Sequence, residues 1–239
     1  MPTLLDHLPD RSDSAPANMA TDFLLLQHYP DPARARFRHY DWRAPAFTFG
    51  YSQQIGWVRG QLPADESIAL CRRPSGGGLV DHRDDWTYAL VIPRGHTLYD
   101  ARAIESYEAV HRTLANCLDH LGCDATVKDR CDPCEDGQST TTGICFRRAE
   151  QFDVVHAKTG AKIAGAAQKR AKRGLLLQGS IWKPAADEVD WDSFAQEFPQ
   201  ALANLLHAEI DFPGWPETWD DAIDPLAESY GSPEWNERR

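Results

Sequence analysis

Hydrophobic positions recur along the chain with two periods, which separate predicted helices from predicted strands. Apolar residues three or four positions apart predict helices over residues 18–27, 103–121 and 191–207. Residues 162–173 stay open between the two, because Ile163 suits a strand and the alanines that follow suit a helix. The predicted strands, rich in β-branched and aromatic residues, are 46–51, 67–73, 86–92, 152–156 and 174–182.

The order of these elements indicates the fold class. Strands outnumber helices, and several successive strands have no crossover helix between them. This order favours an α+β fold with a mixed, largely antiparallel central sheet flanked by helices. We expect a loose N-terminal arm at residues 1–17, one folded domain at residues 18–210, and an acidic, irregular tail at residues 211–239 that its Trp residues pack.

Charge limits the partners. The chain has 239 residues, with 25 Lys and Arg against 36 Asp and Glu, a net charge of −11, so nucleic acid is a poor partner. From Cys145 to Arg173, eight basic residues oppose two acidic ones, whereas residues 185–239 carry a net −12. We expect this basic segment to attract an acidic partner. The alternative is a solvated, charged surface.

The chain has no stretch of about 18 apolar residues, so no membrane-spanning helix is expected. Its first 20 residues are polar and lack the apolar centre of a secretory signal. We therefore expect a cytoplasmic protein with no membrane partner.

Six cysteines are too few for a disulfide scaffold in a chain of this length. Cys131 and Cys134 form a C-x-x-C motif, but Cys123 and Cys145 lack zinc-ligand spacing, so we expect no metal site. A Pro- and Gly-rich context also argues against redox chemistry of that motif. Cys145 is the first residue of the basic segment, and nearby cations favour the nucleophilic thiolate. A buried, inert thiol is the alternative.

Glycines follow the predicted strand at residues 67–73, in Arg72-Arg73-Pro74-Ser75-Gly76-Gly77-Gly78. Backbone N–H groups there can form an anion-binding nest, to which arginine adds charge. A hairpin turn is the alternative, and neither a P-loop nor a dinucleotide fingerprint is present. His82 follows closely and could orient a ligand or shuttle a proton. The alternative is a hydrogen-bonded surface or core residue.

A second candidate segment surrounds one lysine with small residues, in Gly160-Ala161-Lys162-Ile163-Ala164-Gly165-Ala166-Ala167-Gln168. The small residues leave room for a ligand beside Lys162. An ammonium group in such a place can stabilise an oxyanion or a phosphate. The alternative is a surface lysine in a hairpin.

Five segments, in order, carry a resemblance: Asn18-Met19-Ala20-x-Asp22; Trp42-x-x-Pro45 with Phe49-Gly50-Tyr51-Ser52-Gln53; Arg72-Arg73-x-Ser75-Gly76-Gly77-Gly78-x-Val80-x-His82 with Thr87-Tyr88; Gly160-x-Lys162-Ile163-x-Gly165-x-Ala167-Gln168-x-Arg170; and Leu177-Gln178-Gly179-Ser180. Together they resemble the lipoate-protein ligase and octanoyltransferase family, relatives of biotin-protein ligase. The resemblance runs from about residue 18 to residue 183. It implies a catalytic domain with the central sheet of class II tRNA synthetases and biotin-protein ligases.

Two activities exist in that family. The run from Cys145 to Asp153 resembles the nucleophile segment of Bacillus-type octanoyltransferases, which take octanoate from acyl carrier protein through a cysteine thioester. The resemblance thus implies a transferase without cofactor, with acyl carrier protein as donor and a lipoyl domain or glycine-cleavage H protein as acceptor. The alternative is a lipoate ligase that needs ATP and Mg²⁺ and works through an adenylate. The loop Ser75-Gly76-Gly77-Gly78 resembles the ligase form.

The resemblance also assigns residues. Cys145 and Lys162 would be catalytic. The octanoyl or lipoyl group would contact a set of substrate-binding residues: Arg73, Ser75, Gly76, Gly77, Gly78, His82, Gly165, Ala167 and Gln168.

Overall fold

The computed structural model describes residues 3–63, 67–130, 149–186 and 188–238. Within these ranges the strands are β1 (Thr3–His7), β2 (Arg11–Asp13), β3 (Ala35–Trp42), β4 (Ala46–Phe49), β5 (Ala69–Arg72), β6 (Leu79–Asp81), β7 (Asp85–Pro93), β8 (Ala125–Val127), β9 (Val154–His156), β10 (Lys162–Ala171), β11 (Gly174–Trp182) and β12 (Ala208–Asp211). The helices are α1 (Ala15–Gln27), α2 (Ile55–Arg59), α3 (Thr97–Asp100), α4 (Ala103–His120), α5 (Trp191–Leu205), α6 (Trp219–Gly231) and α7 (Pro233–Asn236).

Nine of the described strands form one sheet in the order β12-β1-β3-β7-β11-β10-β9-β8, with β2 beside β3. Every neighbouring pair from β3 to β8 is antiparallel. The parallel pairs are β1 with β3, β1 with β12, and β2 with β3. The mixed, largely antiparallel sheet is therefore confirmed.

Each face of this sheet has its own core, because successive side chains of a strand point to opposite sides. On β7, Tyr88 and Leu90 pack with α4 and α5, whereas Ala89 and Val91 pack with α1 and α6. The second face also carries a three-stranded sheet in the order β5-β4-β6. Residues 73–78, called the glycine loop below, connect β5 to β6.

The long periodic segments are confirmed as α1, α4 and α5. The open segment at residues 162–173 is strand β10, which pairs in a hairpin with β11. Backbone pairing with β11 thus overrides the helix propensity of its alanines. None of the helices in the described ranges has the length and apolar character needed to cross a membrane.

Both ends of the chain differ from expectation. The residues expected to be a loose arm form β1 and β2 and begin α1, and Leu5 is fully buried. These strands have only five and three residues, too few to show an alternating pattern. The tail expected to be irregular contains α6 and α7, and the boundary expected at residue 210 lies inside β12, which pairs with β1. Trp219 is buried against α1.

Candidate active site

A cavity lies between the large sheet, α1 and the small sheet. Short side chains on β10 create this space, because Gly165, Ala166 and Ala167 stand where larger residues would fill it. Its walls are Met19, Tyr40, Trp42, Thr48, Arg73, Gly77, Val80, His82, Thr87, Lys162, Gly165, Ala166, Ala167, Gln178, Gly179 and Ser180.

Lys162 reaches this cavity through a bulge at the start of β10. The pairing of β10 with β9 shifts register between Lys162 and Ala164. Ile163 and Ala164 are both buried in the core, so the extra residue brings Lys162 and Gly165 to the same side. A Cβ on Gly165 would lie 2.8 Å from Lys162 Nζ. Glycine at this position therefore leaves room for the ammonium group.

Asp153 holds that ammonium group. Its Oδ2 lies 2.7 Å from Lys162 Nζ, and the two side chains are only 2% and 6% exposed. Oδ2 also accepts a hydrogen bond from the Glu150 backbone N–H at 2.7 Å, and Oδ1 accepts one from the Tyr107 hydroxyl at 2.5 Å. Such additional hydrogen bonds offset the desolvation of a buried ion pair. The result is one positive charge fixed at the cavity wall.

The backbone before Asp153 has an unusual conformation that directs this carboxylate. Phe152 has φ +64°, a left-handed conformation that is uncommon for a bulky residue. The Phe152 N–H donates to Lys128 O at 2.7 Å, and Nδ1 of His111 lies 2.7 Å from Phe152 O. Burial lowers the pKa of His111 to about 4. The imidazole is therefore neutral near pH 7 and its Nδ1–H donates to Phe152 O.

Arg73 shapes the glycine loop from within. Its Nη2 donates to Gly76 O at 2.9 Å and Gly78 O at 2.8 Å, and its Nη1 donates to Thr48 Oγ1 at 2.8 Å. Gly77, between the two carbonyls, has φ +88°, which glycine adopts readily. Three donor contacts of the guanidinium are thus directed to the protein itself.

Arg72, the neighbouring arginine, ties two distant segments together. Its Nη1 donates to the carbonyls of Tyr51 at 2.6 Å and Gln53 at 2.8 Å, just after β4. Its Nη2 donates to the carbonyls of Asn236 at 2.8 Å and Arg238 at 3.0 Å, at the end of α7. Burial is the main cause that lowers the pKa of Arg72.

Buried polar groups anchor the loop to α1. Ser75 Oγ donates to Gln178 Oε1 at 2.5 Å, and Gln178 Nε2 donates to Asp22 Oδ2 at 2.6 Å. Asp22 also pairs with Arg38, whose Nη2 lies 2.7 Å from Oδ1, and both side chains are fully buried. The motif at residues 18–22 therefore supports the cavity wall through Gln178.

His82 lies at the cavity wall between two hydrogen-bond partners. Its Nε2 is 2.7 Å from Thr48 Oγ1, and its Nδ1 is 2.7 Å from Asp85 Oδ2. Because Thr48 accepts from Arg73, its hydroxyl proton is available to His82 Nε2, which assigns the proton of a neutral ring to Nδ1. The ring stacks on Trp42 at 4.1 Å between centroids. These contacts fix the imidazole ring at the cavity wall, where it can contact a bound ligand.

The structure brings most of the expected site residues together. Arg73, Gly77, His82, Lys162, Gly165 and Ala167 line the cavity. Ser75, Gly76 and Gln168 instead line an adjoining groove with Lys169, Trp235 and Arg238. The Gln168 amide lies 3.2 Å from Ser106 Oγ on α4, and Gly78 contributes the carbonyl that Arg73 binds.

The cysteines fall into two groups, those outside the described residues and those buried in the fold. Cys145, the expected nucleophile, lies outside the described residues, as do Cys131 and Cys134. Cys71 and Cys117 are buried, and burial raises the pKa of Cys71 to about 12 and of Cys117 to about 11, so both are poor nucleophiles. Within the described ranges no group of three or more His, Cys, Asp or Glu could hold a metal ion.

Sequence reasoning assigned no role to Asp153, Tyr107 or Asp85, although Asp153 ends the run that resembles the nucleophile segment. Tyr107 lies on the periodic helix α4, where a tyrosine fits the core pattern. Asp85 lies three positions after His82, and this spacing was the one local signal that could have suggested a partner for the histidine.

The sequence matches the family described as Lipoyl protein ligase A/B catalytic domain over residues 14–184. Octanoyltransferase LipM of Oceanobacillus iheyensis is 33% identical over 195 residues, which cover 80% of this chain and 68% of that protein. Octanoyltransferase LipM of Geobacillus kaustophilus is 28% identical over 183 residues, which cover 74% and 64%. The chain thus spans about two thirds of the length of these two relatives.

Solved structures agree on the fold. A bipartite lipoate protein ligase from Thermoplasma acidophilum superposes with a TM-score of 0.71 at 19% identity, covering 99% of this chain and 96% of that one. A lipoate-protein ligase A bound with ATP gives 0.70 at 18% identity, covering 99% of both chains. The match over residues 14–184 includes Lys162, the glycine loop and the whole cavity wall, and the chain therefore belongs to the Lipoyl protein ligase A/B catalytic domain family.

Proposed function

We propose that the protein transfers an octanoyl or lipoyl group from acyl carrier protein to a lysine of a lipoyl domain or glycine-cleavage H protein. The observation that carries the proposal is Lys162, whose charge Asp153 fixes at the wall of a cavity beside the side-chain-free Gly165. The relatives named octanoyltransferases support the reaction class.

In the proposed reaction the Cys145 thiolate attacks the carbonyl carbon of the donor thioester. The carrier thiolate leaves, takes up a proton, and the acyl group remains on Cys145. The amine of the acceptor lysine then attacks this second thioester, loses a proton, and forms an amide as the Cys145 thiolate leaves. The kinetics are ping-pong, because the carrier departs before the acceptor reacts.

Lys162 has one role in both steps. Each attack moves negative charge onto the carbonyl oxygen, and a fixed ammonium group stabilises that charge more in the transition state than in the thioester. The apolar residues of the cavity, such as Met19, Tyr40 and Val80, would contact the acyl chain. The Trp42–His82 stack would form one wall.

A second candidate is a ligase that activates free lipoate with ATP and Mg²⁺. The loop sequence Ser75-Gly76-Gly77-Gly78 favours it. There, Arg73 and the loop N–H groups would hold the phosphate, and Lys162 the acyl-adenylate carbonyl. The hydrogen bonds from Arg73 to Gly76 O and Gly78 O weigh against this role, since they already engage the guanidinium.

One assay separates the two candidates. Purified protein is incubated with a lipoyl domain and either octanoyl-carrier protein without ATP, or free octanoate with ATP and Mg²⁺. Acylation of the domain in the first mixture is the expected result. Acylation in the second mixture alone would contradict the transferase proposal and support the ligase.

A further inference from the structure

Tyr107 connects the three elements that form the Lys162 site. It lies on α4, and its hydroxyl donates to Asp153 Oδ1 at 2.5 Å. The same oxygen accepts a hydrogen bond from the backbone N–H of Ala166, on β10, at 3.1 Å. The hydroxyl is therefore both donor and acceptor, between a carboxylate and the strand that carries Lys162.

The contact fixes the orientation of the carboxylate. Tyr107 holds Oδ1, so that Oδ2 faces the Lys162 ammonium at 2.7 Å. Without the hydroxyl, Oδ1 loses this donor, and the carboxylate plane is less firmly set although Oδ2 keeps its contacts with Lys162 Nζ and the Glu150 N–H. Burial and the Asp153 carboxylate raise the pKa of Tyr107 well above its ordinary value, so the phenol keeps its proton as a donor.

The second contact fixes the backbone. The Gly165–Ala166 peptide lines the cavity directly beside Lys162, where a Cβ on Gly165 would lie 2.8 Å from Nζ and 3.1 Å from Asp153 Oδ1. The hydrogen bond from Ala166 N–H to Tyr107 sets this peptide relative to the ion pair. One turn further along α4, the ring centroid of His111 lies 4.0 Å from that of Tyr107. The His111 Nδ1–H donates to Phe152 O.

We propose that Tyr107 is the positioning residue of this site, which orients Asp153 and, through it, the Lys162 ammonium. The inference rests on the proposed function, because Lys162 must act on a developing oxyanion. A misplacement of a catalytic group by about 1 Å can cost roughly 10²-fold in rate. Tyr107 touches Asp153 and the β10 backbone, so its loss should affect kcat and spare KM.

The variant Tyr107→Phe removes only the hydroxyl and keeps the ring against His111. Tyr99→Phe is the matched control, because the Tyr99 hydroxyl also donates to a β10 carbonyl, that of Ala171, at 3.0 Å. We expect kcat of Tyr107→Phe to fall roughly ten- to a hundredfold with KM for donor and acceptor unchanged. Tyr99→Phe should match the wild type, and both variants should unfold at similar temperatures.

A second measurement does not depend on activity. Lys162 is labelled with acetic anhydride at a fixed pH and its modification is followed by mass spectrometry. Because the wild-type amine is held against Asp153 in a buried pair, a less firmly positioned Lys162 in Tyr107→Phe should meet the reagent more often and react severalfold faster than in the wild type and in Tyr99→Phe. Equal labelling and equal kcat in the two variants would overturn the positioning role. If the wild type transfers no acyl group from any donor, the proposed function fails and the labelling alone decides the role of Tyr107.

Discussion

The carbonyl oxygen of Gly77 occupies the position where a side chain on Gly50 would begin. A Cβ on Gly50 would lie 2.0 Å from that oxygen and 2.8 Å from the carbonyl carbons of Gly76 and Gly77. The end of β4 and the glycine loop are therefore in backbone contact. This contact holds the loop where Arg73 can bind the carbonyls of Gly76 and Gly78.

The substitution Gly50→Ala should displace the glycine loop, because backbone atoms cannot yield as a flexible side chain does. We expect a loss of about 1–3 kcal/mol in the free energy of unfolding and a large loss of transfer activity. Gly56→Ala is the control, since a Cβ there has no neighbour within 4 Å and Gly56 lies in helix α2. Denaturant unfolding and the transfer assay check both variants. A Gly50→Ala protein with wild-type stability would contradict the close contact.

Cys145→Ala should abolish carrier-dependent transfer, because the acyl-enzyme cannot form. Mass spectrometry of the wild type with octanoyl donor should locate an added octanoyl group on Cys145. Cys131→Ala and Cys134→Ala are the controls and should keep full activity, since neither is assigned to the reaction. Carrier-dependent transfer by Cys145→Ala would contradict the thioester mechanism.

Lys162→Ala should reduce kcat by roughly 10²–10³-fold under either mechanism, because the charge that meets the oxyanion is lost. Lys158→Ala is a matched control on the same segment, where the side chain is 80% exposed and pairs with Asp124. Steady-state kinetics of both variants check the expectation. If kcat of Lys162→Ala stays within about threefold of the wild-type value, Lys162 does not stabilise the oxyanion.

His111 makes stability depend on pH. Its pKa is about 4 in the folded protein and 6.5 in an unfolded chain, and burial is the main cause. Between these pH values the unfolded state binds more protons than the folded state. The contribution of His111 to the free energy of unfolding is therefore fully present above pH 6.5 and is lost as the pH falls towards 4. The full shift corresponds to about 3 kcal/mol.

Urea unfolding at pH 7.5 and pH 5 tests this dependence. His111→Gln should reduce stability at pH 7.5 and show a weaker loss between the two pH values than the wild type. His120→Gln is the control, because that side chain is 74% exposed. An unchanged pH dependence in His111→Gln would assign the acid sensitivity to other groups.

The basic segment gives a prediction about docking. Lys172 and Arg173 are exposed at the turn between β10 and β11, and Lys169 lines the groove beside the glycine loop. Reversing Lys172 and Arg173 to Glu should raise KM for an acidic carrier domain and leave kcat for a small acyl thioester unchanged. The wild-type rate at low partner concentration should fall with salt, and the variant should respond less.

Reversal of Arg43 and Arg59 to Glu is the matched control, because it makes the same change in net charge outside the basic segment. It should leave KM for the carrier domain close to the wild-type value. If both double variants respond alike to salt and keep the same KM, the segment is only a solvated surface.

The small residues around one lysine made Lys162 a candidate, and the family resemblance added Gly165; both line the cavity. Local pattern could not find Asp153 as the partner of Lys162. That pair depends on the left-handed backbone at Phe152 and on the bulge at the start of β10, and neither has a local signal. A bulky residue such as Phe gives no reason to expect a positive φ.

Strand β3 was missed for a related reason. Arg36 and Arg38 are buried on the same face, so the strand has charged residues where a core pattern requires apolar ones. Arg38 is accommodated because Asp22, on α1, pairs with it in the interior. A partner sixteen positions away in the sequence cannot be recognised from the alternation of a single strand.

The length of strand β10 sets the distance between the Lys162 site and the tip of the β10–β11 hairpin. Lys162 begins β10, and Lys172 follows its last residue, ten positions later. At about 3.3 Å per residue, the two lysines are separated by about 30 Å. That length is close to the diameter of a small domain. A partner that contacts both the hairpin tip and the Lys162 site must therefore extend over about 30 Å, a length that a folded domain has and a free acyl acid does not.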